Sequence, residues 1–482
     1  MGDREILEKP LQVRFVKIKG NHRTNPSVIE KHLQEAYDGT NVNEVSLGLM
    51  RGLNKLKQLD IFDAVEITCE DVDLEAELQS SPGTTDLVSG GAEHTYYTDV
   101  VVHVREKGIL NLKAETFVEG GGSEGGVQST LGLRNPLGAG EQIRGGISYG
   151  TKNSNSYSLS MLMPHISTPL FPVDMKIAID EQTHNRQIFS SYDELLKNAS
   201  ISLSDLSGAH SLGYVSSWRD IIPAKSSEIP YQYDCSSAIM QQARPSFKSS
   251  INYSFTSDSR NDLIRPTHGK LFRFCTELAG LGGDVNFSKT ELTMQAIDPL
   301  FPGWPIILGL TFKTGLLCPL SAISNNLVAA NTRPSSTLLG SNKAGFNSFI
   351  SDRFFLGGPL QLRGFEHKGV GPRSYETVGA QGGDSLGGDI SWQLGANLIF
   401  PLPSSLLDAA GIKGQLFMNA GNLTEWGASV RTIVKGARVT VGTGLVLPTP
   451  IGRLEATWSW ILRANGADQQ KRFQLGVGMD FI

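Results

Sequence analysis

Residues 389–400 read DISWQLGANLIF. Ile390, Trp392, Leu394, Ala396, Leu398 and Phe400 fall on one side of an extended chain, and Asp389, Ser391, Gln393, Gly395 and Asn397 on the other, because successive side chains of a strand point to opposite faces. The same period recurs downstream. In 453–462, Leu454, Ala456, Trp458, Trp460 and Leu462 oppose Arg453, Glu455, Thr457 and Ser459. In 473–481, Phe473, Leu475, Val477, Met479 and Phe481 oppose Gln474, Gly476, Gly478 and Asp480. Similar stripes run through 143–149, 173–180, 251–255, 271–278 and 306–314. Strands of about ten residues with one apolar and one polar face suit a transmembrane β-barrel, whose backbone groups all pair within the sheet. A soluble β-sandwich alternates too. However, the region 109–482 would then need repeated domains, and it holds no internal repeat. Its length at about ten residues per strand plus turns predicts an even count near sixteen antiparallel strands.

Composition agrees. Charged residues make up 19% and hydrophobic residues 39%, and Gly is 53 of 482, as in an all-β chain with tight turns. A net charge of −5 gives no case for nucleic acid binding, which favours a strongly basic surface. Cys69, Cys235, Cys275 and Cys318 form no CxxC pair, so the expectation is reduced thiols and no zinc site. The opening MGDREILEKP has no apolar core of a secretory signal and is acidic early, unlike a cleaved presequence. No run of eighteen apolar residues predicts a transmembrane helix.

Upstream of residue 109 the texture changes. VRFVKIKG (13–20) reads as a strand, Asn25-Pro26-Ser27 opens a helix, and Leu49, Leu53, Leu56 and Leu59 mark a second helix over 45–59. IFDAVEITCE (61–70) and YTDVVVHVRE (97–106) read as strands, with a Ser/Gly/Thr-rich loop at 79–95 between them. The expected organisation is a short tail at 1–10, a small α+β domain of order β-α-α-β-β at 11–107, and the barrel at 109–482.

No catalytic constellation stands out. The nine histidines show no HExxH spacing. GGGSEGG (120–126) lacks the Lys-Ser/Thr of a phosphate loop. The reading is therefore no enzyme, no metal and no cofactor. What does stand out is a set of four motifs in order: DSRNDLIRPTHGKLF (258–272), DRFFLGGPLQLRGFEHKGVGP (352–372), GGDISWQLGANLIFPLP (387–403) and FMNAGNL (417–423).

Together these motifs resemble the barrel-assembly insertase superfamily of bacterial BamA, plastid Toc-type channels and the core subunit of the mitochondrial sorting-and-assembly machinery (SAM). The last is the nearest in resemblance, since it carries one POTRA domain, which the α+β segment resembles. The resemblance implies that the loop at about 352–373 folds into the barrel lumen, with Gly357, Gly358, Leu362, Arg363, Gly364 and Phe365 as its motif. Arg363 would then face the inner wall. Asn397 and Asn419 stand where bacterial members often place acidic groups, and Glu455 shares the lumen-facing register, so these three are the candidate wall partners. Gln474, Gly476, Met479 and Phe481 resemble the β-signal, the last strand by which barrel precursors are recognised. The implied function is insertion of β-barrel precursors into the mitochondrial outer membrane through a lateral gate between the first strand (109–118) and the last. The alternative is a translocation channel of the plastid envelope. Implied partners are precursor proteins, metaxin-like accessory subunits and membrane lipids, with the POTRA domain in the intermembrane space.

Overall fold

The computed structural model describes residues 9–71, 96–118, 125–152, 154–167, 172–225, 233–320, 348–375, 383–404, 410–449 and 452–478. The expected loop 79–95, most of the glycine hairpin at 120–126, and Met479 and Phe481 of the C-terminal motif lie outside the described residues.

Two compact units are present. The first comprises residues 1–113, 130–145 and 161–166. It holds strands β1 (Leu11–Lys19), β2 (Phe62–Asp71) and β3 (Tyr96–Glu106) and helices α1 (Pro26–His32), α2 (Gln34–Tyr37) and α3 (Val42–Gln58). β3 is central, parallel to β1 and antiparallel to β2. Its unbroken run Val100-Val101-Val102 suits a strand covered on both sides. The helices lie against it through Ile29, Leu33, Leu56 and Leu59, which share one core with Val100, Val102 and Val104. Asn41 caps α3 by accepting from the Glu44 amide at 2.8 Å, and the Glu44 carboxylate returns to the Thr40 amide at 2.9 Å, a reciprocal N-terminal cap. The four-residue α2 is a turn more than the two helices the spacing predicts, because no apolar period is legible over so short a segment.

The first unit also contains the turn at 135–141. Glu106, at the end of β3, accepts from the Thr24 amide at 2.8 Å and its hydroxyl at 2.7 Å, and the Thr24 hydroxyl accepts from Asn135 at 2.8 Å. Burial alone would raise the Glu106 carboxyl. The bonds from Thr24 and Arg23 prevail and hold it at about 2.

The second unit takes in residues 114–129, 146–160 and 167–482. The sixteen-stranded antiparallel sheet runs through β4 (Leu110–Val118), β5 (Gly125–Arg134), β6 (Gln142–Gly150), β7 (Asn155–Ser167), β8 (Pro172–Asn185), β9 (Tyr192–Asp205), β10 (His210–Pro223), β11 (Ser246–Asp258), β12 (Gly269–Ala279), β13 (Phe287–Pro299) and β14 (Ile307–Pro319). After the two-residue hairpin of β15 (Arg373–Ser374) and β16 (Asp384–Ser385), it continues with β17 (Ile390–Pro401), β18 (Lys413–Thr424), β19 (Arg438–Thr449), β20 (Gly452–Arg463) and β21 (Phe473–Gly478). Each strand pairs with its sequence neighbour in the sheet, and β4 and β21 are the two ends of the order. The sequence reading from 109 onward leaves out short helices. The structure has α4 (Gln187–Ser190), α5 (Ser237–Gln242) and α6 (Val430–Lys435), all in connections and too short to show a period.

Polarity in this sheet is inverted relative to a soluble protein. On β20, Trp458 and Trp460 are 47% and 52% exposed while Glu455, between them and the strand's start, is 0% exposed. Leu394, Leu416, Leu445 and Leu475 are likewise exposed, and Gln415, Asn419, Thr440 and Ser459 buried. Such a surface is stable only where the exposed face meets lipid and the inner face meets polar partners. Among the described residues no helix is long and apolar enough to cross a membrane.

His32 supplies a test of the first unit. It is buried, its Nδ1 lies 2.5 Å from the Val28 carbonyl, and its Nε2 has no hydrogen-bond partner. Burial lowers it to about 4, with the Val28 bond opposing and His165, Lys31 and Lys55 adding to the fall. The fold accepts the neutral ring, so its stability is whole above the ordinary histidine value near 6.5 and declines as pH falls toward 4. The total loss across that window is about 3 kcal/mol. Amide exchange at Val100–Val104, followed from pH 7 to 4, should show this decline in the wild type and a flatter profile in His32→Phe. Identical profiles would contradict it.

Candidate functional site

The segment 348–375 between β14 and β17 is where the sequence motifs converge. Arg363 is 0% exposed. Its neighbours separate to two sides. Leu362 and Phe365 enter an apolar cluster with Leu356 and Val370 of the same loop and Leu423 of β18, while the guanidinium goes to the wall. Arg363 Nε and Nη2 both donate to Glu455 Oε2, at 3.2 and 2.9 Å. The guanidinium carbon stands 4.9 Å from the centre of the Phe417 ring, within cation–π range. With its carboxamide oxygen turned to the guanidinium, Asn419 accepts from Nη1 at 3.2 Å and donates to the Met418 carbonyl at 3.0 Å. The reverse orientation sets like against like. Glu455 is completed by Gln415, which donates to Oε2 at 3.1 Å, and by Arg453, which donates to Oε1. Two cations and an amide thus surround one buried carboxylate, as a desolvated charge requires.

The three candidate wall partners are therefore not equivalent. Glu455 and Asn419 meet Arg363. Asn397 is buried on the facing register of β17, directly opposite Phe417, and its Oδ1 has no hydrogen-bond partner. The register reading gave Asn397 the right face but not the right neighbour, since the Phe417 ring takes that side of the guanidinium.

Gly364 has φ +92, and a Cβ there would stand 3.1 Å from Ser459 Cβ and Thr440 Cγ2. The backbone comes against the wall because no side chain intervenes. Gly357 and Gly358, also at positive φ, turn the chain so that the Gly358 amide donates to the Phe365 carbonyl at 3.1 Å.

The same loop is bound to the last strand. Gln474 accepts from the Gly364 amide at 2.8 Å and donates to the Phe365 carbonyl at 2.6 Å, so one carboxamide satisfies a backbone donor and acceptor as a paired strand would. The Lys471 amide donates to the Gly364 carbonyl, the Glu366 amide to Gln469, and the Gln469 amide to Gly369, all at 2.9 Å. A Cβ at Gly476 would lie 2.8 Å from Pro359 Cβ, so this strand position admits the loop only as glycine. Of the C-terminal motif, then, the two described residues both face the loop. Sequence reasoning marked Gln474 only as part of that motif. Its lumen-facing register, shared with Glu455, was the signal that could have tied it to the loop. Arg453, two residues before Glu455 on the same face, carried the same signal.

Among the described residues no cluster of His, Cys, Asp or Glu is arranged to hold a metal. The inner wall of β9–β13 lines a cavity of about 380 Å³ with Ser200, Ser202, Asn252, Cys275, Glu277, Lys289 and Glu291.

An Omp85 superfamily domain model matches residues 135–481. A SAM50-like protein of Schizosaccharomyces pombe is 29% identical over 98% of this chain and 91% of its own. The sorting and assembly machinery component 50 homologue of Mus musculus is 30% identical over 99% of this chain and 92% of its own. Among solved structures, BamA from Haemophilus ducreyi lacking POTRA domains 1–3 superposes with a TM-score of 0.69 at 16% identity, covering 97% of this chain and 84% of that one.

Removing the guanidinium tests the loop anchor. Arg363→Ala leaves Glu455 to Arg453 and Gln415, so the expected loss is about 1.5–3 kcal/mol of loop anchoring, with the barrel intact. Arg363→Lys should recover only part, because an ammonium cannot reproduce the planar fork. The readout is cleavage at a protease site placed at Glu366. Equal cleavage in wild type and Arg363→Ala would make the arginine an ordinary loop residue.

Proposed function

This chain belongs to the Omp85 superfamily and, within it, to the sorting and assembly machinery component 50 family, and from that premise we propose that it inserts β-barrel precursors into the mitochondrial outer membrane through the seam between β4 and β21. One observation carries the mechanism. The sheet order ends at β4 and β21, and the luminal loop is hydrogen-bonded to the segment leading into β21 and to Gln474 within it.

In a bilayer an incoming strand brings N–H and C=O groups that cost several kcal/mol each while unpaired. A sheet that parts between its first and last strands offers those groups a matching edge, and the precursor adds to it strand by strand. The edge of β4 is the docking side. The luminal loop, held by Arg363 and Gln474, keeps β20 and β21 together as one unit while the seam opens. No covalent step or nucleotide enters this scheme. The relatives carry the name of a sorting and assembly machinery component, and the chain works as a scaffold for pairing.

The plastid translocation reading is not favoured, since relatives spanning nearly the whole chain carry sorting-and-assembly names. A metabolite porin has no use for a loop tied to its last strand. The chain is an integral outer-membrane protein that handles β-barrel precursors within a sorting and assembly complex. Further to that, residues 11–107 form a POTRA domain facing the intermembrane space, after a tail at 1–10. Residues 109–482 form the barrel, and metaxin-like subunits are its accessory partners. Gln474 and Gly476, with Met479 and Phe481, form the chain's own β-signal.

A covalent link across the seam tests the mechanism. Cysteines placed near Leu112 of β4 and Leu475 of β21, in a chain whose four native cysteines are replaced by serine, are scanned in several pairs. Cross-linked protein in liposomes should keep its heat-resistant barrel and lose at least tenfold in precursor insertion, with reductant restoring the rate. Unchanged insertion by fully linked protein would end the lateral-gate account. Small-solute conductance equal to that of a porin, without insertion, would end the insertase account.

A further inference from the structure

The luminal loop has a second buried ion pair that the insertion scheme does not use. Upstream of the glycines, Asp352 is 4% exposed and accepts from Arg219 Nη1 of β10 at 2.7 Å. Lys248 of β11 stands 3.6 Å from the same oxygen. Phe349 lies under both Arg219 and Arg244, at 5.8 and 5.3 Å, and the Ile350 amide donates to Gln242 of α5 at 2.7 Å. The loop is therefore held on β10 and β11 at one end and on β18, β20 and the segment leading into β21 at the other, with Phe354 paired to Gly388 and Ser348 donating to Asp389 just ahead of β17.

The anchors are not equally complete. In the Arg363–Glu455 pair itself both carboxylate oxygens are met, by Arg363, Arg453 and Gln415, although Gln415 Oε1 beside it has no hydrogen-bond partner. At the upstream anchor, Arg219 Nε and Nη2 and Asp352 Oδ2 are buried without hydrogen-bond partners. Buried orphans of this kind are few in native proteins and mark places where a structure holds strain or changes state. A charge pair with unfilled valences on both sides loses less on separation than one whose hydrogen bonds are all made.

We propose that Arg219 is a positioning residue of the insertion reaction and that the Arg219–Asp352 pair is the release point of the luminal loop. When β20 and β21 move outward at the seam, the loop lets go of β10 and travels with the last strands, kept to them by Arg363 and Gln474. The loop would thus widen the lumen beside the docking edge while continuing to cover the inner face of β21. The role in insertion rests on the function proposed above, whereas the order in which the anchors yield does not.

Two measurements decide it. The first needs no precursor. Amide exchange of wild-type protein in nanodiscs should be at least tenfold faster over 349–354 than over 362–366. Arg219→Met should accelerate the former by a further tenfold and leave the latter within twofold. Exchange over 349–354 equal to or slower than that over 362–366 overturns the proposal. In the second, Arg219→Cys and Asp352→Cys are joined by a short bifunctional methanethiosulfonate in a chain lacking the native cysteines. Linked protein should bind precursor within twofold of the unlinked form, insert it at least fivefold more slowly, and recover with reductant. Linked protein that inserts at the unlinked rate also overturns it. Wild type that inserts nothing in the same vesicles would sink the insertase reading, while the exchange result would still say which anchor yields first.

Discussion

An arginine with no exposed surface has to be answered by the wall around it. Arg363 is that constraint here. Removing its charge from water is costly, and the surrounding residues meet the cost one by one: the Glu455 carboxylate, the Asn419 carboxamide and the Phe417 ring. An ion pair so deep is weak evidence for stability in itself, since an apolar replacement of equal volume can do as well. What it gives is position. The pair fixes where one turn of a long loop stands relative to β20, and Leu362 and Phe365, packed with Leu423, fix which way that turn faces.

The inverted polarity of the sheet makes this arrangement available. Trp458, Trp460 and Leu475 are turned outward, so the residues between them, Thr457, Ser459 and Gln474, are left to line the interior. A loop entering that interior finds hydrogen-bond partners instead of an oily core. The loop in turn binds Gln474 by backbone and packs Pro359 where Gly476 has no side chain. The strand at one end of the sheet order is thereby held from inside rather than by a sheet neighbour alone. This is the physical basis for a seam that can part without unravelling: the last strand, once apart from β4, has a second support.

Much of this was legible in the sequence, for identifiable reasons. A two-residue period with Trp on one face and Glu on the other has few solutions, so the barrel, its strand count and the inward register of Asn397, Asn419 and Glu455 follow from pattern. Register says which wall a residue faces, but not which residue stands next to it. Asn397 and Asn419 are equivalent by pattern, and only the position of the Phe417 ring separates them. Arg219 and Asp352 are 133 residues apart, and no local period links a strand residue to a distant loop. Gln474 was visible as a motif residue, yet its bonds to Gly364 and Phe365 depend on how the loop turns. The short helices α2, α4, α5 and α6 fell below the length at which a helical period shows.

The central claim is that Arg363 and Glu455 act as one unit holding the loop to the last strands. A double-mutant cycle with Arg363→Met and Glu455→Gln measures it most directly, with the free energy of opening at the Gly364 amide, from hydrogen exchange, as the observable. The account predicts a coupling of at least about 1.5 kcal/mol, with the double variant no less protected than Arg363→Met alone. Additive losses, with no coupling between the two substitutions, would contradict it.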